Sequence, residues 1–195
     1  MLRLGDALGK CLQIHEIYVK KHGYLPIKVP CLSSIISKLS SLKINLLCPQ
    51  MDVDNSICGT VLVYEDYANV FINPNQNRCW TRYATVKELS HIAMDSSEAH
   101  VTDLVGLVDD LTMTWLFDST EAAQAEKSAY VAGIELLLPY YKYKEIKALC
   151  TEKSPWDVAK TYLIPESMVK VWLNSRYKQM VLPEYRNLLG FHPRL

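Results

Sequence analysis

The chain lacks the cysteine spacings of a redox pair or a zinc ribbon: its six cysteines, at positions 11, 31, 48, 58, 79 and 150, include no C-x-x-C. At 195 residues it is long enough to bury a core without covalent staples, so reduced thiols in a cytoplasm are expected. It also lacks a long apolar run. Stretches such as Ile134 to Leu138 are interrupted within a few residues by charge, proline or tyrosine, which argues against a membrane span. Near the N-terminus, Arg3, Asp6, Lys10 and Glu16 interrupt Leu2, Leu4, Ala7 and Leu8, so this segment reads as a helix rather than a secretory leader. Glycine is scarce at 7 residues, and there is no low-complexity tract or internal repeat, which excludes wholesale disorder and a collagen-like fibre.

Net charge is missing as well. Twenty-one basic residues balance 21 acidic ones, so no long-range field draws the molecule to nucleic acid or an anionic membrane. The zero conceals segregation: residues 1–51 carry seven Lys or Arg against two acids, 52–141 four against fourteen, and 142–195 ten against five. An acidic middle between basic ends fits ends that fold back on the centre, a tail that touches an acidic partner, or solvated faces that merely segregate.

What is present is the pattern of a folded domain. Leu8, Cys11, Leu12, Ile14, Tyr18 and Val19 recur at helical spacing, and the helix they form ends near His22-Gly23. Pro26 and Pro30 interrupt, after which residues 32–47 suggest a second helix. Thr60 to Tyr64 and Tyr67 to Asn73, β-branched and aromatic on either side of Glu65-Asp66, predict a hairpin that delivers the chain into a helix over Arg82 to Met94. Leu104, Leu107, Val108, Leu111 and Trp115 follow helical spacing, and a further helix, capped by Ser119 or Thr120, runs to Pro139. Ser154-Pro155-Trp156-Asp157 is a helix-start signature, and Pro165-Glu166 begins another helix running through Tyr177. Residues 1–54 are thus expected to form an N-terminal helical region, 55–150 a core, and 151–195 a C-terminal helix pair and tail.

One segment carries a chemical signature. Lys87-Glu88-Leu89-Ser90-His91 has the form of the zinc-peptidase sequence H-E-x-x-H with lysine in the first position. In H-E-x-x-H, histidines four residues apart share a helix face and bind Zn²⁺, while the glutamate activates a metal-bound water. With its surroundings, this segment resembles the ImmA/IrrE family of small peptidases over roughly residues 55–175. The strand ending Val70-Phe71-Ile72-Asn73 leads through Arg78 and Arg82 into the helix that bears the signature. A later helix, Glu126 through Glu135-Leu136-Leu137-Leu138-Pro139, looks like the family's acid-containing helix with its E-L-L-x-P end. Ala159, Tyr162 and the stretch Ile164 to Leu173 are similar to the helical pair that follows.

The fold expected is α+β, mostly helical with a small antiparallel sheet, comprising a zincin-like peptidase core and a C-terminal helix pair. In active members two histidines and an acid from the later helix hold zinc. Here Lys87 replaces the first histidine and His91 is retained. Alignment on Pro139 places Ser128 at the acidic position, with Glu126 two residues earlier as the alternative ligand. If the site is active, Glu88 is its general base. An ordinary lysine titrates near 10.4, and neutralising one at pH 7 costs roughly 4 to 5 kcal/mol. A charged ammonium also repels a divalent ion, so no cofactor is expected, with zinc only under the active reading. A buried Lys87 would instead pair with Glu88 or Glu126 and supply the charge a metal would have carried. The competing surface reading turns Lys87 outward and leaves Glu88 and His91 as an exposed helix pair.

Three functions follow from the resemblance and the basic C-terminal third. The first is a catalytically degenerate peptidase serving as a regulatory or protein-binding module of a phage or mobile element, its partner a repressor or toxin-like protein. The second is an active zinc metallopeptidase that cleaves a repressor-type protein. The third is a DNA-binding regulator using the C-terminal helix pair with Arg176, Lys178 and Arg186, although the net charge does not favour nucleic acid. No membrane partner is expected, and the location is cytoplasmic. No local sequence pairs any of the six thiols with His15, His100 or His192 as a nucleophile and base.

Overall fold

The computed structural model describes residues 4–23, 26–49, 57–94, 100–103 and 121–190. Helix α1 (Leu4–His22) buries Ala7, Leu8, Cys11, Ile14, His15 and Tyr18, the stripe expected of an amphipathic helix, while Val19 stays on the exposed side. It ends at Gly23, whose φ of +74° lies in the left-handed region open to a residue without Cβ. Helix α2 (Val29–Ser40) has Pro30 in its first turn, where a missing N–H is harmless. The helix expected over 32–47 is in fact two elements: α2 stops at Ser40, and Lys43–Leu47 is strand β1. β1 has no alternating pattern of its own. It forms because the edge of a strand 24 residues later accepts it.

That later strand is β3 (Tyr67–Ile72), which forms the expected antiparallel hairpin with β2 (Ile57–Val63). β3 alternates half-buried and buried residues, as a strand with one covered face does. Strand β4 (His100–Asp103) pairs with the other edge of β2, so the order is β1-β3-β2-β4. The architecture is α+β and mostly helical. The sheet is mixed rather than wholly antiparallel, however, because β1 joins β3 in parallel.

Asn77 caps helix α3 (Arg78–Ala93) by accepting hydrogen bonds from the amides of Cys79 and Trp80, so the helix starts four residues before Arg82. Arg82 donates from Nη2 to the carbonyl of Ile27 at 2.6 Å and ties the start of α3 to the chain entering α2. α3 packs on β2 and β3, on α2, and on helix α4 (Glu121–Leu137), which also carries α1. The helix expected over Leu104 to Trp115 and the cap at Ser119 or Thr120 lie outside the described residues.

After Pro139 come a 3₁₀ turn (Tyr140–Lys142) and four helices: α5 (Tyr143–Glu152), α6 (Pro155–Tyr162), α7 (Glu166–Leu173) and α8 (Ser175–Leu189). Ser154 caps α6 as its sequence indicates, accepting from Asp157 N at 3.1 Å, and Leu163 makes the left-handed turn into α7. The single helix expected through Tyr177 breaks at Asn174. The side chain of Asn174 accepts from Arg176 N at 2.8 Å and starts α8 instead. One apolar cluster extends from Ala7 to Tyr185, with Trp172, Tyr18, Tyr83, Tyr130, Tyr140 and Tyr177 its largest fully buried side chains. None of the six cysteines is joined in a disulfide. Among the described residues, no helix is long and apolar enough to cross a membrane.

Candidate functional site: a charged bridge between two buried helices

Every residue of α3 from Tyr83 to Ile92 is buried. A helix covered on all sides is ordinarily apolar throughout, because an unpaired charge in the interior is expensive. α3 instead carries Lys87, Glu88, Ser90 and His91 inward, with Lys87 only 2% exposed. The surface reading of Lys87 is thereby excluded, along with an exposed Glu88–His91 pair.

Tyr83, Lys87 and His91, four residues apart, form one stripe that faces α4. Tyr83 donates its hydroxyl to the carbonyl of Tyr130 at 3.4 Å, while His91 meets Glu126 further back along α4, so the two helices run antiparallel. The helices cross at Gly133: a Cβ there would lie 3.4 Å from both Cα and Cβ of Lys87 and from Cε2 of Tyr83, an ordinary contact that leaves no room for a larger side chain. From that crossing the lysine side chain reaches Glu126, two turns away on α4. Lys87 Nζ donates to Glu126 Oε2 at 2.6 Å, and His91 Nε2 lies 3.3 Å from Oε1. One carboxylate thus bridges the two positions that the H-E-x-x-H pattern would give to metal-binding histidines.

Of the sequence candidates, Lys87, His91 and Glu126 are brought together. Ser128, two residues further along α4, is buried and makes no hydrogen bond to Lys87 or His91. Between the two alignments offered for the acidic position, geometry places Glu126 in the bridge. Glu88 is fully buried on a different side of α3, its Cγ close enough to β2 that a Cβ at Gly59 would meet it at 3.4 Å. The tighter contacts of such a Cβ would be with Ile72 Cδ1 at 3.0 Å and the carbonyl of Phe71 at 3.2 Å, so it is the neighbouring strand that requires glycine at position 59. The cysteine reading gains no support at Cys11. Burial pushes that thiol well up, away from the reactive thiolate, and it donates weakly to the carbonyl of Ala132 at 3.8 Å.

Does this donor set fit zinc? Metal–ligand bonds of about 2.0–2.2 Å in a tetrahedron put neighbouring ligand atoms about 3.3 to 3.6 Å apart. The separation of His91 Nε2 and Glu126 Oε1 is 3.3 Å, so those two alone stand at a ligand spacing. The third member is an ammonium, which has three donors and no lone pair and already takes up the other oxygen of Glu126. Among the described residues, no group of three or more His, Cys, Asp and Glu side chains converges as a metal site. The residues present do not fit zinc.

A second buried polar centre escaped the sequence reading. Glu135, on α4, is fully buried; its Oε1 accepts from Tyr177 OH at 2.8 Å, and its Oε2 accepts from Tyr185 OH and Tyr140 N at 2.7 Å each. Burial pushes this carboxyl up to about 7, against the pull of the hydroxyls and the amide. Close by, His15 Nε2 donates to the carbonyl of Leu136 at 3.2 Å, and burial drives this imidazole down to about 4. The available signal was a lone acid inside the apolar run Ile134 to Leu138. Its partners lie 42 and 50 residues downstream, where no local pattern could name them. The network fastens α8 and the 3₁₀ turn to α4, so Glu135 is a structural residue. A scan against models of protein families finds no match to the chain, and a search of curated proteins finds none either.

Proposed function

We propose that the chain is a catalytically degenerate relative of the ImmA/IrrE-type peptidases that acts as a regulatory, protein-binding module rather than as a hydrolase. The observation that supports this reading is the Lys87–Glu126–His91 bridge. A permanent cation has taken the seat of a metal ligand, and the carboxylate that would complete a metal shell neutralises that cation instead. The interhelical contact is kept without an ion, which preserves a peptidase-like surface for recognition while removing the means to activate water at Glu88. The partner proposed is a repressor or toxin-like protein of a phage or mobile element, and the setting is a reducing cytoplasm, which suits six cysteines that form no disulfide.

The test is metal analysis of protein purified without chelators or a nickel column. We expect much less than one zinc per chain. The variant Lys87→His sharpens the experiment: it places a second imidazole four residues before His91 and frees Glu126, so zinc should rise towards one per chain and fall again in Lys87→His/His91→Ala. One zinc per chain in the unaltered protein, lost in His91→Ala, would sink the proposal.

A further inference from the structure

A cleft of about 610 Å³ opens between α5 and α8, far along the chain from the α3–α4 bridge. Four of its lining residues are cationic, Lys144 and Lys147 from α5 and Lys178 and Arg186 from α8, against one acid, Glu152. Lys147, Lys178 and Arg186 make no ion pair among the described residues. The ammonium groups of Lys147 and Lys178 both approach the ring of Tyr143, with Nζ 5.5 and 5.1 Å from its centroid. Each ammonium is attracted to the face of the ring, so Tyr143 gathers positive charge at the cleft. Tyr140 lines the same cleft, and its buried hydroxyl has no hydrogen-bond partner among the described residues.

The charge limits what kind of anion fits. Lys178, Leu182 and Arg186 recur at four-residue steps on one face of α8, so both cations of that helix line the cleft. Four cations against one acid exceed the charge of a single carboxylate or phosphate, whereas linked phosphates carry about three to four negative charges and match it. Lysine and arginine are also the side chains that hold phosphate oxygens most strongly, through charge-assisted hydrogen bonds. Two turns beyond Lys144 on α5, Thr151 donates its hydroxyl to the carbonyl of Lys147 at 3.0 Å, and beside it Glu152 offers an acceptor to a hydroxylated group. The volume is that of a site for a small molecule.

We infer that this cleft binds a small ligand carrying two or more linked phosphates, held by Lys144, Lys147, Lys178 and Arg186. This inference stands on residues separate from the proposed function and does not depend on it. The test is isothermal titration of the full chain at 50 mM salt with ATP, inorganic triphosphate and adenosine. ATP and triphosphate should bind and adenosine should not. ATP binding more tightly than triphosphate identifies a nucleotide as the ligand, and equal affinities identify an inorganic polyphosphate. Lys178→Gln and Arg186→Gln, both exposed and outside the core, should each weaken binding about tenfold while shifting the unfolding temperature by no more than about 4 °C. Lys170→Glu, on α7 and outside the cleft, should leave the affinity for both phosphate compounds unchanged. The inference is overturned if neither phosphate compound binds at millimolar concentration, or if Lys170→Glu weakens binding as much as the cleft variants do. It also fails if duplex DNA binds at the same salt while ATP does not.

Discussion

Removing one member of the Lys87–Glu126 pair should have very different effects depending on which member is removed, because the two are unequally buried. The Lys87 side chain is 3% exposed and that of Glu126 is 37% exposed. Glu126→Ala leaves an ammonium in the interior with its bridging anion gone. Breaking a fully buried pair in this way costs about 3 to 5 kcal/mol, and the partial access of water on the Glu126 side lowers the expectation here to about 2 kcal/mol. Lys87→Met leaves a carboxylate that water already reaches and fills the lysine's channel with an apolar chain of similar length, so about 1 kcal/mol is expected, still more than a surface lysine change. For a chain of this size those losses correspond to roughly 4 to 8 °C and 2 to 4 °C in Tm. The double variant should be more stable than Glu126→Ala alone, since it also removes the buried positive charge that Glu126 balances. The assay is urea unfolding at pH 7 followed by circular dichroism, with a constant m-value across the four proteins. If Glu126→Ala lies within about 0.5 kcal/mol of the parent, or if the losses in the double variant simply add, Lys87 and Glu126 do not form a buried pair.

Glu135 and His15 should have opposite effects on the pH dependence of stability. The folded-state value of Glu135 is raised from 4.5 to about 7, so its contribution is present below 4.5 and lost as pH rises to 7; that of His15 is lowered from 6.5 to about 4, so its contribution is present above 6.5 and lost as pH falls to 4. The two slopes offset each other between about pH 4.5 and 6.5, where Glu135→Gln should therefore gain stability with rising pH and His15→Asn should lose it; parallel profiles in denaturant titrations would refute this. At Gly133, alanine meets only ordinary contacts at 3.4 Å and should be neutral or mildly stabilising through helix propensity, whereas leucine should drive α3 from α4 and cost about 1 to 3 kcal/mol. Equal unfolding temperatures for the two Gly133 variants would mean that the helices do not cross there.

The chain's short-range grammar was legible without coordinates. Ser154, Pro155 and Asp157 announce α6 because a cap, a pre-set φ and an acid in the first turn act within four residues of one another. Gly23 marks the end of α1, and the acidic break at Glu65-Asp66 marks the hairpin, for the same reason. The four-residue spacing of Lys87 and His91 likewise settled that they share a helix face. Packing decided the rest. β1 exists only because β3 presents an edge to it; Asn174 broke a helix that apolar spacing alone would continue; and Glu135 found hydroxyl donors some forty and fifty residues away. Above all, whether Lys87 pointed outward or inward, and whether Glu126 or Ser128 answered it, depended on a helix crossing at Gly133. Propensities and caps act over one or two turns of chain, whereas the environment of a buried charge is set by whatever distant segment the folded core brings against it.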